Sequence, residues 1–538
     1  MKTMIYSVFA LMLSASVLTA CSDEEFSGDP AKDWNGTTTF FAPTDAQGFD
    51  TYYTPAVGRV GDPMPFYDQK SGEFKVLYLQ EFINNMTYRF HPIWAVSTSD
   101  GANYESLGEL IPFGANDYQQ DAALGTGCAF EKDGTYYIYY TGHNGNCKNR
   151  EVVMRATSTD FATWTKDELW TLNGPDFGYS SNDFRDPQIF VADDGLWHMV
   201  IASKLKFAEF KSADLKTWEH VGQFPMIWDR MCECPDIFKM GDYWYLVYSE
   251  GYRASWSRKV KYMMAPTFEA LKACFNDPGA NWPKDGHEGV LDSRAFYAGK
   301  TASNGTDRYI WGWCPYRTGA TIHDKNINVG AGGEPNWSGA LVCHKIIQHA
   351  DGTLTLGAVP AMAAKYSKTA DASVVASNGY NGGTLSGNDA YVLYSRLGTC
   401  NHISFTVKTS NNWDKFGISF VRSTDPEFYY TLVVNPENEN SRKINFEQEG
   451  YRLQKDNEGK EVKVYGKGFI EGIDGYWFAR PADNTYHIDI YTDNSVVVTY
   501  INDVCAYTQR IYGIQKNCWS INNYGGSITV SDVKVSQQ

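Results

Sequence analysis

Five short segments ending in Phe, each followed across a tight turn by a strand-like run, constrain this chain more than any other feature. Aligned on the Phe they read Asp62-Pro63-Met64-Pro65-Phe66, Thr126-Gly127-Cys128-Ala129-Phe130, Asp186-Pro187-Gln188-Ile189-Phe190, Cys234-Pro235-Asp236-Ile237-Phe238 and Asp292-Ser293-Arg294-Ala295-Phe296. The runs that follow are Phe74 to Leu79, Thr135 to Tyr140, Leu196 to Ala202, Tyr243 to Tyr248 and Arg308 to Trp313, rich in aromatic and β-branched residues. Ser158-Thr159-Asp160 before Trp164 and Ser212-Ala213-Asp214 before Trp218 recur at matching places. The units are spaced by roughly 50 to 65 residues, mostly longer than the ~40 to 50 of compact propeller blades. These repeats predict a five-bladed β-propeller.

The innermost strand of each blade lines a central channel, so equivalent positions from distant sequence face one cavity. Three of the five aligned first positions are Asp, and in a fourth unit Glu233 stands immediately before Cys234. A single Asp before Pro is ordinary turn chemistry; several acids converging on one channel are a candidate site. Asp62, Asp186 and Glu233 are therefore expected to meet at the propeller mouth. Breaking a glycosidic bond needs one carboxylate to attack or to activate water and one acid to protonate the leaving group. Aromatic content of 15% suits both strand packing and stacking on sugar rings.

The blade pattern ends near Gly357 to Pro360, and Ala370 to Asp389 is rich in Ser, Gly, Asn and Ala. A linker is expected over 361–388, after a propeller over 37–360. From 389 to 538 alternating runs such as Ile403 to Lys408, Tyr429 to Val434 and Val496 to Ile501 predict a β-sandwich, making the chain all-β. At the other end, Lys2 and the apolar run from Met4 to Leu18 read as a secretory signal over 1–20. Leu18-Thr19-Ala20-Cys21 resembles a lipobox, with Cys21 the lipidated residue and 21–36 a flexible tether. An exported lipoprotein at the outer membrane, on the cell surface or in the periplasm, is the expectation. The formal charge of −16 repels phosphate backbones and argues against nucleic acid as a partner. Cys232-Glu233-Cys234 is too tight for a zinc knuckle, and no structural metal is expected.

At this point the residues resemble glycoside hydrolase family 32, the invertases, inulinases and levanases. Phe184-Arg185-Asp186-Pro187 looks like the family's Arg-Asp-Pro motif, and Glu233-Cys234-Pro235 like its Glu-Cys-Pro motif. Asp292 with Phe296-Tyr297-Ala298, then Tyr309-Ile310-Trp311-Gly312-Trp313, then Trp337-Ser338-Gly339-Ala340-Leu341 resemble later propeller landmarks. Ser395-Arg396-Leu397, Tyr500-Ile501-Asn502-Asp503 and Arg510-Ile511-Tyr512 resemble the sandwich. The resemblance implies Asp62 as nucleophile, Glu233 as general acid and base, and Asp186 as transition-state stabiliser. It also implies Gln80, Arg185, Asp292 and Trp313 as substrate-binding residues. Arg185 beside Asp186 either keeps that carboxylate charged and oriented or forms a structural ion pair. Burial among Trp228, Cys234 and other carboxylates is expected to keep Glu233 protonated.

Around Asp62 the family's Trp-Met-Asn-Asp-Pro-Asn-Gly is replaced by Arg59-Val60-Gly61-Asp62-Pro63-Met64-Pro65, and its Phe-Ser-Gly-Ser by Leu124-Gly125-Thr126-Gly127. The expected activity is retaining hydrolysis of β-fructosyl linkages in a fructan or fructooligosaccharide, with no cofactor. Two alternatives stay open. One is an inverting propeller hydrolase acting on arabinose or xylose linkages; the other is a non-catalytic glycan-binding lipoprotein. Fructosyl transfer would need the same site with water excluded.

Overall fold

The computed structural model describes residues 50–538 apart from 57, 82–90, 225–230, 252–258, 274–288, 318–334, 413, 423–427, 437–443 and 470–477. The signal, Cys21, the tether and Trp228 lie outside the described residues. Strands dominate, as the aromatic and β-branched runs require.

Four-stranded antiparallel blades recur in the first part. The first comprises Arg59–Asp68, Glu73–Glu81, Ile93–Thr98 and Glu105–Ile111; the second runs from Ala123–Lys132 to Thr165–Lys166 and the third from Arg185–Val191 to Glu219–Phe224. The fourth contains Met231–Met240, Tyr243–Gly251 and Lys259–Ala265, and the fifth Tyr297–Ser303, Arg308–Arg317, Pro335–Gln348 and Leu354–Gly357. The first strand of each blade is innermost, and these five strands pack successively around a closed ring. A pairing between Val60 and Gly339 stitches the last blade to the first.

Four of the five Phe-terminated segments are innermost strands. The fifth is displaced: Asp292-Ser293-Arg294-Ala295-Phe296 precedes the inner strand Tyr297–Ser303. The residue equivalent to Asp62 is Ala298, and Ala302 takes the place of the repeat's Phe. Phe296 instead packs into the core.

The C-terminal domain is a β-sandwich tied together by the twenty-residue strand Cys518–Gln537. Its first half pairs with Phe416–Arg422 and its second half with Cys400–Thr409, so it serves both layers. The change of direction falls at Gly525 and Gly526, both with positive φ. A Cβ on Gly526 would lie 2.0 Å from Asp414 Oδ1, so only glycine fits there. Most of the stretch expected as a linker is built into the domain. Lys368–Thr369 pairs with the last strand, Val374–Asn378 with Thr384–Tyr394, and Thr384–Tyr394 with the last strand. Its polar composition reflects an edge strand that is largely exposed rather than loose chain.

The two domains share one core: Tyr491, Val496, Val498, Tyr500 and Ala506 cluster with propeller residues such as Trp311 and Leu341. Arg510, fully buried, donates to the carbonyls of Pro315 (2.6 Å) and Cys314 (2.8 Å) and to Ser495 Oγ (2.8 Å). Asp493 Oδ2 accepts from the backbone N–H groups of Asp50, Thr51 and Tyr52, fastening the start of the propeller to the sandwich.

Candidate active site

The inner strands break register at the same height in every blade. Asp62-Pro63 oppose Tyr78 alone, Asp186-Pro187 oppose Ile201, Cys234-Pro235 oppose Tyr248, and Ala298-Gly299 oppose Gly312. In the second blade Thr126 is the extra residue. A bulge turns the side chain at its first position away from the alternation of the strand. Proline is tolerated there because the ladder needs no N–H at that point. Asp62, Asp186, Cys234 and Ala298 all have positive φ (21°, 58°, 51° and 54°), an uncommon state for residues other than glycine.

Three layers follow from this register. One residue before the bulge stand Gly61, Gly125, Arg185, Glu233 and Tyr297; at the bulge, Asp62, Thr126, Asp186, Cys234 and Ala298; two residues after it, Met64, Cys128, Gln188, Asp236 and Lys300. Glu233 therefore sits between its counterparts in the adjoining blades, and both bond to it. Arg185 Nη2 donates to Glu233 Oε1 at 3.0 Å and Tyr297 Oη to Oε2 at 2.6 Å. In the bulge layer Asp62 Oδ1 accepts from Trp313 Nε1 (2.9 Å) and Oδ2 from Thr126 Oγ1 (2.6 Å). Asp186 Oδ2 accepts from the backbone N–H of Cys234 at 2.9 Å.

Exposure separates the three carboxyls. Asp62 is half-buried and the Glu233 side chain is 22% exposed, whereas that of Asp186 is 5% exposed. Burial pushes the Asp186 carboxyl up to about 7; nearby Arg185 opposes this, and the charges of Glu233 and Asp62 reinforce it. That mutual influence places all three carboxyls in one electrostatic site. Arg185 is shared: its guanidinium lies 3.0 Å from Glu233, 3.2 Å from Glu151 and 2.6 Å from Asp183, but 4.0 Å from Asp186. Arg185 acts toward the charged form of Asp186 from 4.0 Å, but burial outweighs it. Its closest contacts are with other carboxylates, because neighbouring strand residues project apart.

Trp313, expected to bind substrate, is 1% exposed and donates its indole N–H to Asp62. Gln80 is buried at the same end of the first blade, opposite Val60, with its amide against Gly58. Asp292 leaves the site altogether. It is fully buried at the contact with the sandwich, accepting from Ser293 N, Thr508 N and Thr508 Oγ1, with His344 Nε2 at 3.1 Å. The displaced fifth repeat explains that error.

Sequence reasoning missed Tyr297, Thr126 and the role of Trp337. Trp337 lies over the strand that carries Asp62, so close that a Cβ on Gly61 would meet its ring at 2.2 Å. His91 stacks on the same ring at 4.5 Å and meets Glu81 at 2.5 Å. Burial lowers the His91 pKa, but Glu81 and Asp62 outweigh it and leave the imidazole raised. Among the described residues no group of three His, Cys, Asp or Glu is disposed to hold a metal, and all nine described cysteines are free.

Comparison with known proteins adds to this geometry. A model described as the N-terminal domain of glycosyl hydrolases family 32 matches residues 52–356, and one described as the GH32, BT1760-like, C-terminal domain matches residues 352–535. A sucrose-6-phosphate hydrolase of Zymomonas mobilis is 27% identical over 237 residues, covering 38% of this chain and 43% of the relative. A raffinose invertase of Escherichia coli is 31% identical over 156 residues, covering 26% of this chain and 32% of the relative. The matched stretches thus span less than half the length of these two relatives. The solved structure of an exo-inulinase from Aspergillus awamori superposes with a TM-score of 0.65 at 16% identity, over 91% of this chain and 97% of that one.

Proposed function

The chain belongs to glycosyl hydrolase family 32, and from that premise we propose that it hydrolyses β-linked fructosyl units of a fructan or fructooligosaccharide with retention. The observation that carries this reading is the pairing of two solvent-reachable carboxylates, each held by two donors, beside a buried third. Asp62, fixed by Trp313 and Thr126, attacks the anomeric carbon. Glu233 delivers a proton to the leaving oxygen and then takes one from the water that resolves the glycosyl-enzyme. Asp186, pushed by burial up to about 7, stands in the same layer as Asp62 and hydrogen-bonds sugar hydroxyls as charge develops. Relatives described as hydrolases of sucrose 6-phosphate and raffinose, and the inulinase fold, support a fructoside substrate. The lipobox-like Leu18-Thr19-Ala20-Cys21 supports an exported, lipid-tethered enzyme, checked by fatty-acid labelling of wild type and Cys21→Ser.

The test is incubation of purified protein with levan, inulin and sucrose, resolving products by size and reading the first-formed anomer by NMR. Retention is expected, with turnover abolished in Asp62→Asn and Glu233→Gln while folding is kept. Inversion, or wild-type rates in either variant, would sink the assignment.

A further inference from the structure

The layer two residues below the bulge takes no part in the reaction as described, yet it holds a buried cation. Lys300 is 2% exposed, and its ammonium donates to the carbonyl of Gly127 at 2.7 Å. Blades five and two are not neighbours in the ring, so the side chain crosses the channel to reach it. Among the described residues no carboxylate lies within salt-bridge distance of Lys300. Asp236, the acid of the same layer, is occupied by Thr301, whose N–H and hydroxyl donate to Oδ2 at 2.8 and 2.6 Å. Cys128 and Cys234 lie near the ammonium from blades two and four; burial pushes both thiols up, and the ammonium only partly opposes it. Arg308 lies farther out, over the Phe238 ring and bonded to Thr301 Oγ1 at 2.7 Å.

A buried ammonium held by a single carbonyl is costly to desolvate. What it grips explains its place. Thr126, the residue before Gly127, donates to Asp62 Oδ2 at 2.6 Å. The Thr126 carbonyl accepts from Thr141 Oγ1 at 3.0 Å, and that hydroxyl accepts from the Asp186 N–H at 3.0 Å. One segment of blade two thus brackets both aspartates. The bracket has no slack on its outer side, where a Cβ on Gly127 would lie 1.9 Å from the Tyr139 carbonyl oxygen. From the channel side it is held by Lys300.

We propose that Lys300 is a positioning residue for the reaction. Its ammonium clamps the Thr126–Gly127 bracket from across the channel and places a positive charge beneath Asp62 and Asp186. This rests on the reading of those aspartates as the nucleophile and stabiliser. The clamp and the charge are separable. Lys300→Gln keeps a donor for Gly127 and loses the charge; Lys300→Met loses both.

Both variants, with wild type, are assayed for kcat and KM on the best fructoside across pH, and melted at pH 5 and pH 8. Lys300→Met is expected to lose at least tenfold in kcat with KM within about twofold. The acidic limb of its kcat/KM profile moves up by about half a unit or more, because a carboxylate deprived of a nearby cation ionises later. Lys300→Gln is expected to recover part of kcat but to show the same shift of the limb. A purely structural plug would lower stability without moving the limb. Folded variants with wild-type kcat and an unmoved limb overturn the proposal. The melts need no turnover: removing the cation makes ionised Asp186 costlier, so both variants fall further below wild type at pH 8 than at pH 5. Equal deficits at the two pH values overturn the electrostatic half. If wild type cleaves no fructoside, the reading of the site fails, and the melts still decide whether Lys300 acts on the buried carboxyl.

Discussion

Replacing Asp186 by Asn should make the propeller more stable in neutral solution while removing its activity. In the native chain the carboxyl is buried and titrates at about 7, against 3.8 for an ordinary aspartate. The native state therefore holds the proton more tightly than the unfolded chain, and stability falls as pH rises from about 4 to about 7. A difference near three pH units corresponds to about 4 kcal/mol at ~1.4 kcal/mol per unit. The amide of Asn keeps an oxygen for the Cys234 N–H, now at 2.9 Å, and carries no charge to desolvate. Asp186→Asn should match wild type near pH 4 and exceed it by up to about 4 kcal/mol at pH 8. Scanning calorimetry of both proteins at pH 4.5, 6 and 8, following the propeller transition, reads this as a widening gap in Tm. A gap that stays constant with pH, or a variant less stable than wild type at pH 8, would refute the claim that Asp186 is a strained, proton-holding acid.

Three further outcomes follow from particular contacts. Tyr297→Phe deletes the 2.6 Å bond to Glu233 Oε2; with charge-assisted bonds worth about 1.5–3 kcal/mol, kcat should fall roughly ten- to a hundredfold with KM little changed, measured by steady-state kinetics. Gly61→Ala drives a methyl into the Trp337 ring and should displace either that ring or the Asp62 strand, costing about 1–3 kcal/mol and most of kcat/KM. Intrinsic fluorescence and turnover report the two effects. Arg510→Met strands the Cys314 and Pro315 carbonyls in the domain contact; at about 1–3 kcal/mol for each unsatisfied carbonyl it should destabilise the protein and separate the melting of the two domains, seen as two calorimetric peaks.

Much of the propeller was legible because its repeat leaves a mark in composition: a Phe closing the inner strand, a turn, an aromatic strand. Asp-Pro and Cys-Pro were legible too, since proline survives inside a strand only where a bulge excuses its missing N–H. The fifth blade uses Ala298-Gly299 for the same bend and Ala302 where the others use Phe. Neither signal was available, and Phe296, six residues before Ala302, captured the alignment and carried Asp292 with it. The groups that hold the carboxylates were illegible for another reason. Thr126 is 64 residues from Asp62 and Tyr297 is 64 from Glu233; ring closure alone makes them neighbours. The stretch 361–388 looked like a linker because a solvent-facing edge strand and a loop draw on the same small polar residues.

The register break common to the inner strands, left-handed in four of the five, makes the blades comparable sockets. Each aims one side chain at the same small volume from a different bearing, on a backbone already shaped for it. Two sockets bear carboxylates, one a hydroxyl, one a thiol and one a methyl. The methyl of Ala298 faces the same focus with the same left-handed backbone as Asp186. A site built this way can be rewritten one letter at a time: the scaffold sets where a group stands, and the residue inserted there sets only what it does.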